Sequence, residues 1–404
     1  MLKKLLMGVG ISVIAATLAY AQSAAPGAAP AAGAGARAGR AAGGAGGAAG
    51  GAGGAGGAGG AAAAAGGGGG GGRGTIKLPT EEQWANMPPN ARAFQDKAIA
   101  LAGNDEDLKL DEKIFCQANG GANGNARNVV GVPVGAPFPA WGAPSPAVRL
   151  PAQHMFDNFW WLGDTGVGSW LITSNNGYIL FDASNNAAEA QEVIVDAMKK
   201  VNLDPKKIKY IVFGHFHGDH TGGGHLIQAL SGAKAIMGRD DWTLYLKMFE
   251  NPATNRLDDK TPMTHDIDAE DGMKIKVGDV TATIYQMTGH TPGSIGMIVP
   301  VKWAGKQHPI LLVTAGSDIS NREAFIGGYE HIWDLGIKNK VESVMQVHPN
   351  TNINLLARVK YVNDNFAALE KTGKNPLLYG AAKTEKYINI TRACTEARMA
   401  ILGW

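Results

Sequence analysis

The sequence has little cysteine and no strong excess of either charge. Only two of its 404 residues are cysteine, Cys116 and Cys394, and they lie far from each other and from most of the histidines. This spacing argues against a cysteine-rich metal site and leaves a disulfide or two buried thiols. The 37 lysines and arginines nearly balance the 35 aspartates and glutamates, without the basic cluster that a nucleic-acid surface requires. We therefore expect no nucleic-acid partner.

Acidic residues are absent from residues 1–74, where the composition is also unusual. Residues 24–74 consist almost entirely of glycine and alanine and hold 24 of the 57 glycines. They offer too little apolar surface to fold, and they lack the strict three-residue period of collagen. We predict a disordered linker over residues 22–74. The remaining sequence has 32 basic and 35 acidic residues, a net charge of −3, so the folded part is slightly acidic.

Long apolar segments are also scarce, and the one candidate lies at the N-terminus. Lys3 and Lys4 precede an apolar run over residues 5–18, followed by the small-x-small sequence Ala19-Tyr20-Ala21. This pattern is typical of a secretory signal peptide cleaved after Ala21. The alternative is an uncleaved anchor, but the run is short for a span of about 20 residues. We expect a bacterial protein, periplasmic or secreted, with signal peptide 1–21 and no membrane span after cleavage.

Residues 151–404 are predicted to form one α+β domain. Aromatic and β-branched runs predict strands at residues 158–163, 169–173, 177–181, 207–213, 233–237, 274–277, 280–286, 294–299 and 310–314. Apolar residues at helical spacing predict helices at residues 185–201, 223–230, 240–249, 322–335, 352–369 and 384–402. Each half ends in helices, which indicates two packed sheets with helices outside, a four-layer αβ/βα sandwich.

Residues 75–150 are rich in proline, asparagine and glycine. We predict a mostly irregular N-terminal extension that wraps the core, with helices near residues 80–87 and 91–102.

The strand predicted at residues 207–213 is followed by a dense group of metal-binding side chains. His215, His217, Asp219 and His220 lie within six residues, in the sequence HFHGDH. Alternation along the loop places His215 and His217 on one side for one ion, while Asp219 and His220 can serve a second. Neutral imidazoles are good zinc ligands, and two nearby ions can share a hydroxide.

Two more histidines have a suitable setting for the remaining ligands. His290 lies in TGHTPGS after a predicted strand, and His348 lies in VHP after an apolar run. The other five histidines lack this setting, and we expect them to be surface or supporting groups: His154, His225, His265, His308 and His331.

With these three motifs, the sequence resembles the metallo-β-lactamase superfamily from about Phe156 to the C-terminus. The resemblance is specific for fold and metal site but not for substrate, because this fold supports many reactions. Within the superfamily, the sequence is most similar to class B metallo-β-lactamases of the third subclass. That resemblance implies two Zn²⁺ per chain, the first held by His215, His217 and His290 and the second by Asp219, His220 and His348.

The residues after the strand at 310–314 bear on the subclass. The match places Ser317 where many relatives carry a bridging aspartate, and its hydroxyl would hydrogen-bond a metal-bound water. Asp318 is the alternative, because a shift of one residue would make it a bridging ligand and point away from β-lactamases. The subclass usually pairs its C-terminal cysteine with one just before the last histidine ligand. Residues 341–347 contain none, so Cys394 has only Cys116 as a partner.

The resemblance implies a zinc-dependent hydrolase that opens a β-lactam ring by attack of a metal-bridging hydroxide, and hence antibiotic resistance. Asp219 would orient the hydroxide and carry its proton, and Asp182, at a strand end, would support a ligand. The alternatives are a lactone or ester hydrolase, an iron-dependent sulfur dioxygenase and a non-catalytic surface protein. The expected partner is a small molecule, a β-lactam or a lactone. Trp242, Tyr245 and Phe325 either line the substrate groove or belong to the core.

Overall fold

The computed structural model describes residues 79–117, 148–251, 255, 257, 259–314, 322–348 and 355–404. The predicted signal peptide and linker lie outside these residues, as do Ser317 and Asp318. Within them, twelve strands form a seven-stranded and a five-stranded sheet. A search of the same residues finds no helix with the length and apolar character that a membrane crossing needs.

The first sheet contains seven strands in the order of the chain. They are β1 (Gln153–Phe156), β2 (Phe159–Gly163), β3 (Gly168–Ser174), β4 (Gly177–Phe181), β5 (Ile208–Val212), β6 (Lys234–Gly238) and β7 (Ile267–Ala269). Strands β1 to β4 form an antiparallel meander, and β4 to β7 run parallel. The predicted meander is confirmed, whereas β1 and β7 lie outside the predicted strands.

The second sheet has the order β12-β11-β10-β9-β8. Its strands are β8 (Met273–Val277), β9 (Val280–Gln286), β10 (Ile295–Trp303), β11 (Lys306–Val313) and β12 (Val344–Gln346). Neighbours are antiparallel except β11 and β12, which are parallel. Strands β10 and β11 are longer than predicted because they continue into a hairpin. Its turn residues Ala304 and Gly305 both have positive φ, 47° and 77°, as such tight hairpins require.

Eleven helices accompany the sheets in the described part of the chain. They are α1 (Glu81–Ala85), α2 (Pro89–Ala102), α3 (Glu106–Phe115), α4 (Ala187–Ala190, π-helical Gln191–Asp196 and Ala197–Lys200), α5 (Gly218–Thr221), α6 (Gly224–Ser231), α7 (Arg239–Glu250), α8 (Arg322–Phe325, π-helical Ile326–Glu330 and His331–Lys338), α9 (Leu355–Asp364), α10 (Phe366–Thr372) and α11 (Ala381–Ile401), besides a 3₁₀ turn at Pro205–Lys207. The helix predicted at residues 352–369 is divided at Asn365 into α9 and α10.

The two sheets pack face to face around an apolar core. Alternation along the strands sorts side chains between layers, so Phe159 and Trp161 of β2 face the second sheet while Leu162 faces the helices. Helices α4, α6 and α7 cover the outer face of the first sheet. Helices α8 and α11, joined by α2 and α3, cover the outer face of the second. The predicted αβ/βα sandwich is confirmed.

The described part of the N-terminal extension is more regular than predicted. The two predicted helices are present as α1 and α2, and α3 follows them. Helix α3 begins after Asp105, whose carboxylate accepts hydrogen bonds from the backbone N–H groups of Asp107 and Leu108. Its apolar face, with Leu108 and Phe115, packs against α11. The extension is therefore part of the outer helical layer.

A disulfide joins the extension to the C-terminal helix. Cys116, directly after α3, is bonded to Cys394 in α11, 278 positions later in the sequence. Beside it, the buried guanidinium of Arg398 donates to the backbone carbonyl of Phe115 (2.6 Å) and to the hydroxyl of Thr395 (3.0 Å). The disulfide is thus the pairing expected for these two cysteines.

Removing this disulfide should destabilise the domain. For the double variant Cys116→Ser/Cys394→Ser, we expect the free energy of unfolding to fall by about 2–4 kcal/mol, because the cross-link restricts the unfolded chain. Denaturant unfolding with and without a reductant measures the change. The reductant should affect the wild type only, and equal stability of oxidised wild type and variant would contradict the prediction.

Candidate metal centre

The six predicted ligands meet at one edge of the sandwich, although they come from three separate segments of the chain. His215 and His217 follow β5, and Asp219 and His220 lie in the short helix α5. The others, His290 and His348, lie in the β9–β10 loop and directly after β12. Parallel strands end at a common edge, so the loop after β4 also reaches this region.

The first predicted group is compact. The ligand atoms of His215, His217 and His290 all lie within 4.8 Å of one another. Nδ1 of His217 and Nε2 of His290 are 3.1 Å apart. His215 and His217 are buried, and His290 is partly exposed.

The second predicted group is equally close. Nε2 of His220 and Nε2 of His348 are 3.2 Å apart. The Asp219 carboxylate lies 3.4 Å from Nε2 of His220 and 3.5 Å from Nε2 of His348. His215 also belongs to a cluster with Asp219 and His220, so the two groups adjoin. The side chain of Asp219 is 30% exposed, which places it at the open side of the site.

Hydrogen bonds at the far side of each ring fix the orientation of three imidazoles. Nδ1 of His220 lies 2.8 Å from the Asp182 carboxylate, and Nδ1 of His348 lies 3.0 Å from the carbonyl oxygen of Gly166. Nδ1 of His215 lies 3.0 Å from the hydroxyl of Thr314. For His220 and His348 the partner is an acceptor, so Nδ1 carries the proton and Nε2 faces the site.

Asp182 performs its supporting role in an unusual backbone conformation. Its φ is +63°, a region that non-glycine residues seldom adopt. One carboxylate oxygen accepts from the backbone N–H of Gly214 (2.8 Å), while the other faces His220. The strained position is stabilised by these contacts and connects the end of β4 to the loop after β5.

The charge state of the cluster follows from burial and from its carboxylates. Burial, reinforced by His220 and His217, lowers the pKa of His215 well below its usual range, so this imidazole is neutral. Burial also lowers the pKa of His220, but Asp219 and Asp182 outweigh it and raise that pKa to about 10. Burial raises the pKa of Asp219, but His220 outweighs it and holds that pKa well below its usual range.

Asp241 supports the other half of the site. This fully buried residue of α7 accepts a hydrogen bond from the backbone N–H of Phe216 (3.0 Å), between the two histidines of the first motif. It also accepts from the hydroxyl of Thr291 (2.6 Å) and the backbone N–H of Gly293 (2.8 Å), next to His290. One carboxylate thus joins the two loops that carry the first group.

Close backbone contacts explain the glycines around the ligands. A Cβ on Gly222 would lie 2.0 Å from the carbonyl oxygen of Asn185, and one on Gly293 would lie 2.6 Å from the backbone nitrogen of Asp241. Both distances are impossible for a real side chain, so glycine is required where these loops pack together.

The remaining histidines lie outside the site, and four of them pair with carboxylates elsewhere. The pairs are His225–Asp259, His265–Asp268, His308–Glu342 and His331–Asp271. The fifth, His154, stacks between Trp160 and Phe366.

Of the aromatic residues considered for the groove, Trp242 and Tyr245 are fully buried core residues, and the side chain of Phe325 lies outside the described part of the structure. Thr314, Asp241 and the Gly166 carbonyl were not among the sequence candidates, because no local motif marks them.

A comparison with protein families identifies the fold. Residues 162–301 match the family model described as the metallo-beta-lactamase superfamily. Over these residues the chain is similar to the metallo-β-lactamase superfamily, and its two-sheet sandwich is the metallo-β-lactamase fold.

Solved structures agree with this fold. SMB-1, a metallo-β-lactamase solved with mercaptoacetic acid, has a TM-score of 0.51 and 19% identity, covering 63% of this chain and 98% of that chain. MEM-A1, a subclass B3 metallo-β-lactamase from a soil metagenome library, has a TM-score of 0.51 and 18% identity, covering 64% and 98%. A motif mutant of the Cronobacter sakazakii metallo-β-lactamase has a TM-score of 0.50 and 22% identity, covering 63% and 99%. At these sequence identities the similarity shows a shared fold and nothing further.

The metallo-β-lactamase fold implies a divalent metal, and the residues present fit one. The buried Nε2 of His215 has no hydrogen-bond partner among the described residues. Nε2 of His348, Nε2 of His220 and a carboxylate oxygen of Asp219 converge within 3.5 Å, which requires a positive charge among them. A proton on His220 supplies it, and a divalent cation bound by the same atoms would release that proton. Nitrogen and carboxylate donors suit zinc.

We expect Asp241→Asn to weaken divalent cation binding by about 10–100-fold, the usual effect of losing a group that orients ligands. An amide nitrogen would face the donors of Phe216 and Thr291 in place of an acceptor, which disturbs both loops. Zinc titration in competition with a chromogenic chelator measures the affinity. Asp240→Asn, the same change at the exposed neighbouring residue, is the control. Equal affinities of the two variants would contradict the prediction.

Proposed function

We propose that the protein is a zinc-dependent β-lactamase that hydrolyses the cyclic amide of its substrate and binds two Zn²⁺ per chain. The observation that carries this proposal is the convergence of five histidines and one aspartate in two adjoining groups. The first ion would be held by His215, His217 and His290, and the second by Asp219, His220 and His348. The superfamily match supports the coarser statement, a metal-dependent hydrolase.

The bound ions would supply a Lewis acid and lower the pKa of a water enough to make it a nucleophile near neutral pH. The protein's own contribution lies in Asp219. Its carboxylate is partly exposed at the open side and faces both His220 and His348. It is placed to orient an attacking water and to carry a proton from that water to the departing nitrogen. We propose Ser317 as a further hydrogen-bond donor, on the sequence resemblance.

More specifically, we propose that the protein is a metallo-β-lactamase of subclass B3. It is supported by the fold shared with MEM-A1 and by the ligand pattern of three histidines in one group and one aspartate with two histidines in the other. The disulfide and the signal-like N-terminal sequence support an exported protein, in the periplasm or outside the cell.

Hydrolysis of a chromogenic cephalosporin by the zinc-loaded protein tests the proposal. We expect turnover, and we expect His217→Ala to reduce kcat/KM by at least about 100-fold, because metal ions stabilise transition-state charge by several kcal/mol. His225→Ala is the matched control, since His225 pairs with Asp259 away from the site. An acyl-homoserine lactone is assayed in parallel.

The outcomes separate the alternatives. Turnover of the lactone without turnover of the cephalosporin would replace the β-lactamase with a lactone hydrolase on the same site. Hydrolysis that survives His217→Ala would show that the site is not catalytic.

Metal analysis of the protein as purified should find zinc at two ions per chain. The donor set of imidazole nitrogens and one carboxylate suits zinc, and three ligands per ion would leave the fourth tetrahedral position to a water. Elemental analysis by mass spectrometry measures the ratio, with a chelator-treated and zinc-restored sample as the control. Iron in place of zinc would favour the sulfur dioxygenase alternative.

A further inference from the structure

Arg149 lies just before β1 and contacts acidic residues that lead to the second group of candidate ligands. Its guanidinium contacts two buried carboxylates, Asp164 through Nη1 (3.2 Å) and Glu189 through Nη2 (3.2 Å). Asp164 and Glu189 are 0% and 2% exposed. The more exposed Glu192 lies 3.5 Å from Nε of the same guanidinium. Buried acids are seldom retained without a partner, so the contacts of Arg149 with Asp164 and Glu189 are an organised feature of the domain.

The Asp164 side of the cluster leads to His348. The carboxylate of Asp164 accepts hydrogen bonds from the backbone N–H groups of Gly166 (2.7 Å) and Val167 (2.9 Å) and so fixes the tight β2–β3 loop. The carbonyl of Gly166, exposed by this turn, accepts from Nδ1 of His348. By fixing this turn, Asp164 positions the carbonyl group that orients the His348 ring.

The Glu189 side of the cluster leads to His220. The carboxylate of Glu189 accepts from the hydroxyl of Ser184 (2.7 Å) and the side-chain amide of Asn185 (2.6 Å), which lie in the loop after β4. This loop begins with Asp182, whose carboxylate orients His220. The backbone of Ala183 also bonds the carbonyl of His220 (2.7 Å).

The backbone of Arg149 is itself held in place. It forms an isolated antiparallel bridge with Asp164, and the neighbouring Leu150 N–H bonds the carbonyl of Gly163 (3.1 Å). The N–H of Val148 bonds the hydroxyl of Thr165 (3.0 Å). A guanidinium on a fixed backbone presents its two Nη groups in one plane, which suits the bridging of two carboxylates.

We propose that Arg149 is a positioning residue for the second cation site, which it sets by holding the His220 and His348 loops at a fixed separation. The proposal rests on the two-ion centre proposed above. The first group of histidines is oriented by Asp241 and Thr314, and only Thr314 also contacts Asp182 (3.3 Å). Arg149 should therefore affect the second site far more than the first. The sequence alone does not indicate this role, because Arg149, Asp164 and Glu189 share no local motif.

Stepwise zinc titration of the metal-free full chain, in competition with a chromogenic chelator, tests the proposal. For Arg149→Met we expect the dissociation constant of the second zinc to rise about 10–100-fold, the usual range for a residue that orients ligands. The first zinc should change by less than about threefold. Arg239→Met is the control, because Arg239 is 72% exposed and pairs with Asp268 at the surface.

NMR signals of the imidazole nitrogens in the zinc-loaded protein show which histidines the substitution affects. In the Arg149 variant, the signals of His220 and His348 should shift or broaden while those of His215 remain. Two further variants serve if Arg149→Met does not fold. Arg149→Lys keeps the positive charge but cannot bridge both carboxylates with separate N–H groups. Asp164→Asn keeps an oxygen that accepts the hydrogen bonds of the turn but weakens the ion pair with Arg149. Both should give the same selective loss.

Two results would overturn the inference while the proposed function stands. One is a second-site dissociation constant within threefold of wild type, and the other is an equal weakening of both sites, which would indicate a general loss of stability. A wild-type protein that binds fewer than two zinc ions would overturn the proposed centre and this inference together.

Discussion

The structure is organised around several electron-pair donors that face one another at short distance. Nitrogen atoms of His220 and His348 meet at 3.2 Å, and those of His217 and His290 at 3.1 Å. Such a cluster is stabilised by a proton or a cation shared between the donor atoms and by a frame rigid enough to keep the rings from turning away. The loops that follow the buried strands provide this frame.

Each loop is fixed by a carboxylate that belongs to a different element. Asp182 after β4, Asp241 in α7 and Asp164 after β2 each accept backbone hydrogen bonds near a histidine ligand. Burial makes these bonds strong and makes any unpaired acid costly, so the three positions tolerate little change. Rigid orientation of the imidazoles thus depends on residues outside the set of candidate ligands.

The sequence predicted those parts whose signal is local. HFHGDH places four donors within six residues, and turn-forming residues mark His290, so the candidate ligands could be identified without a structure. Helix α3 lies outside the prediction because its apolar residues are interspersed with acids and lysines. Strand β7 has only three residues and is recognisable through its pairing with β6. Arg149 and Asp241 act through contacts with residues distant in sequence, which no local pattern can report.

The link between Cys116 and Cys394 has a consequence for biogenesis. Its partners lie 278 positions apart in the sequence, and the later one lies in helix α11. The bond can therefore form only after all residues up to Cys394 have been synthesised. Both sheets and the histidine cluster lie between the two cysteines in sequence. The bond therefore closes one covalent loop that contains every described strand and all six candidate ligands, and it joins the two ends of that loop in the outer helical layer.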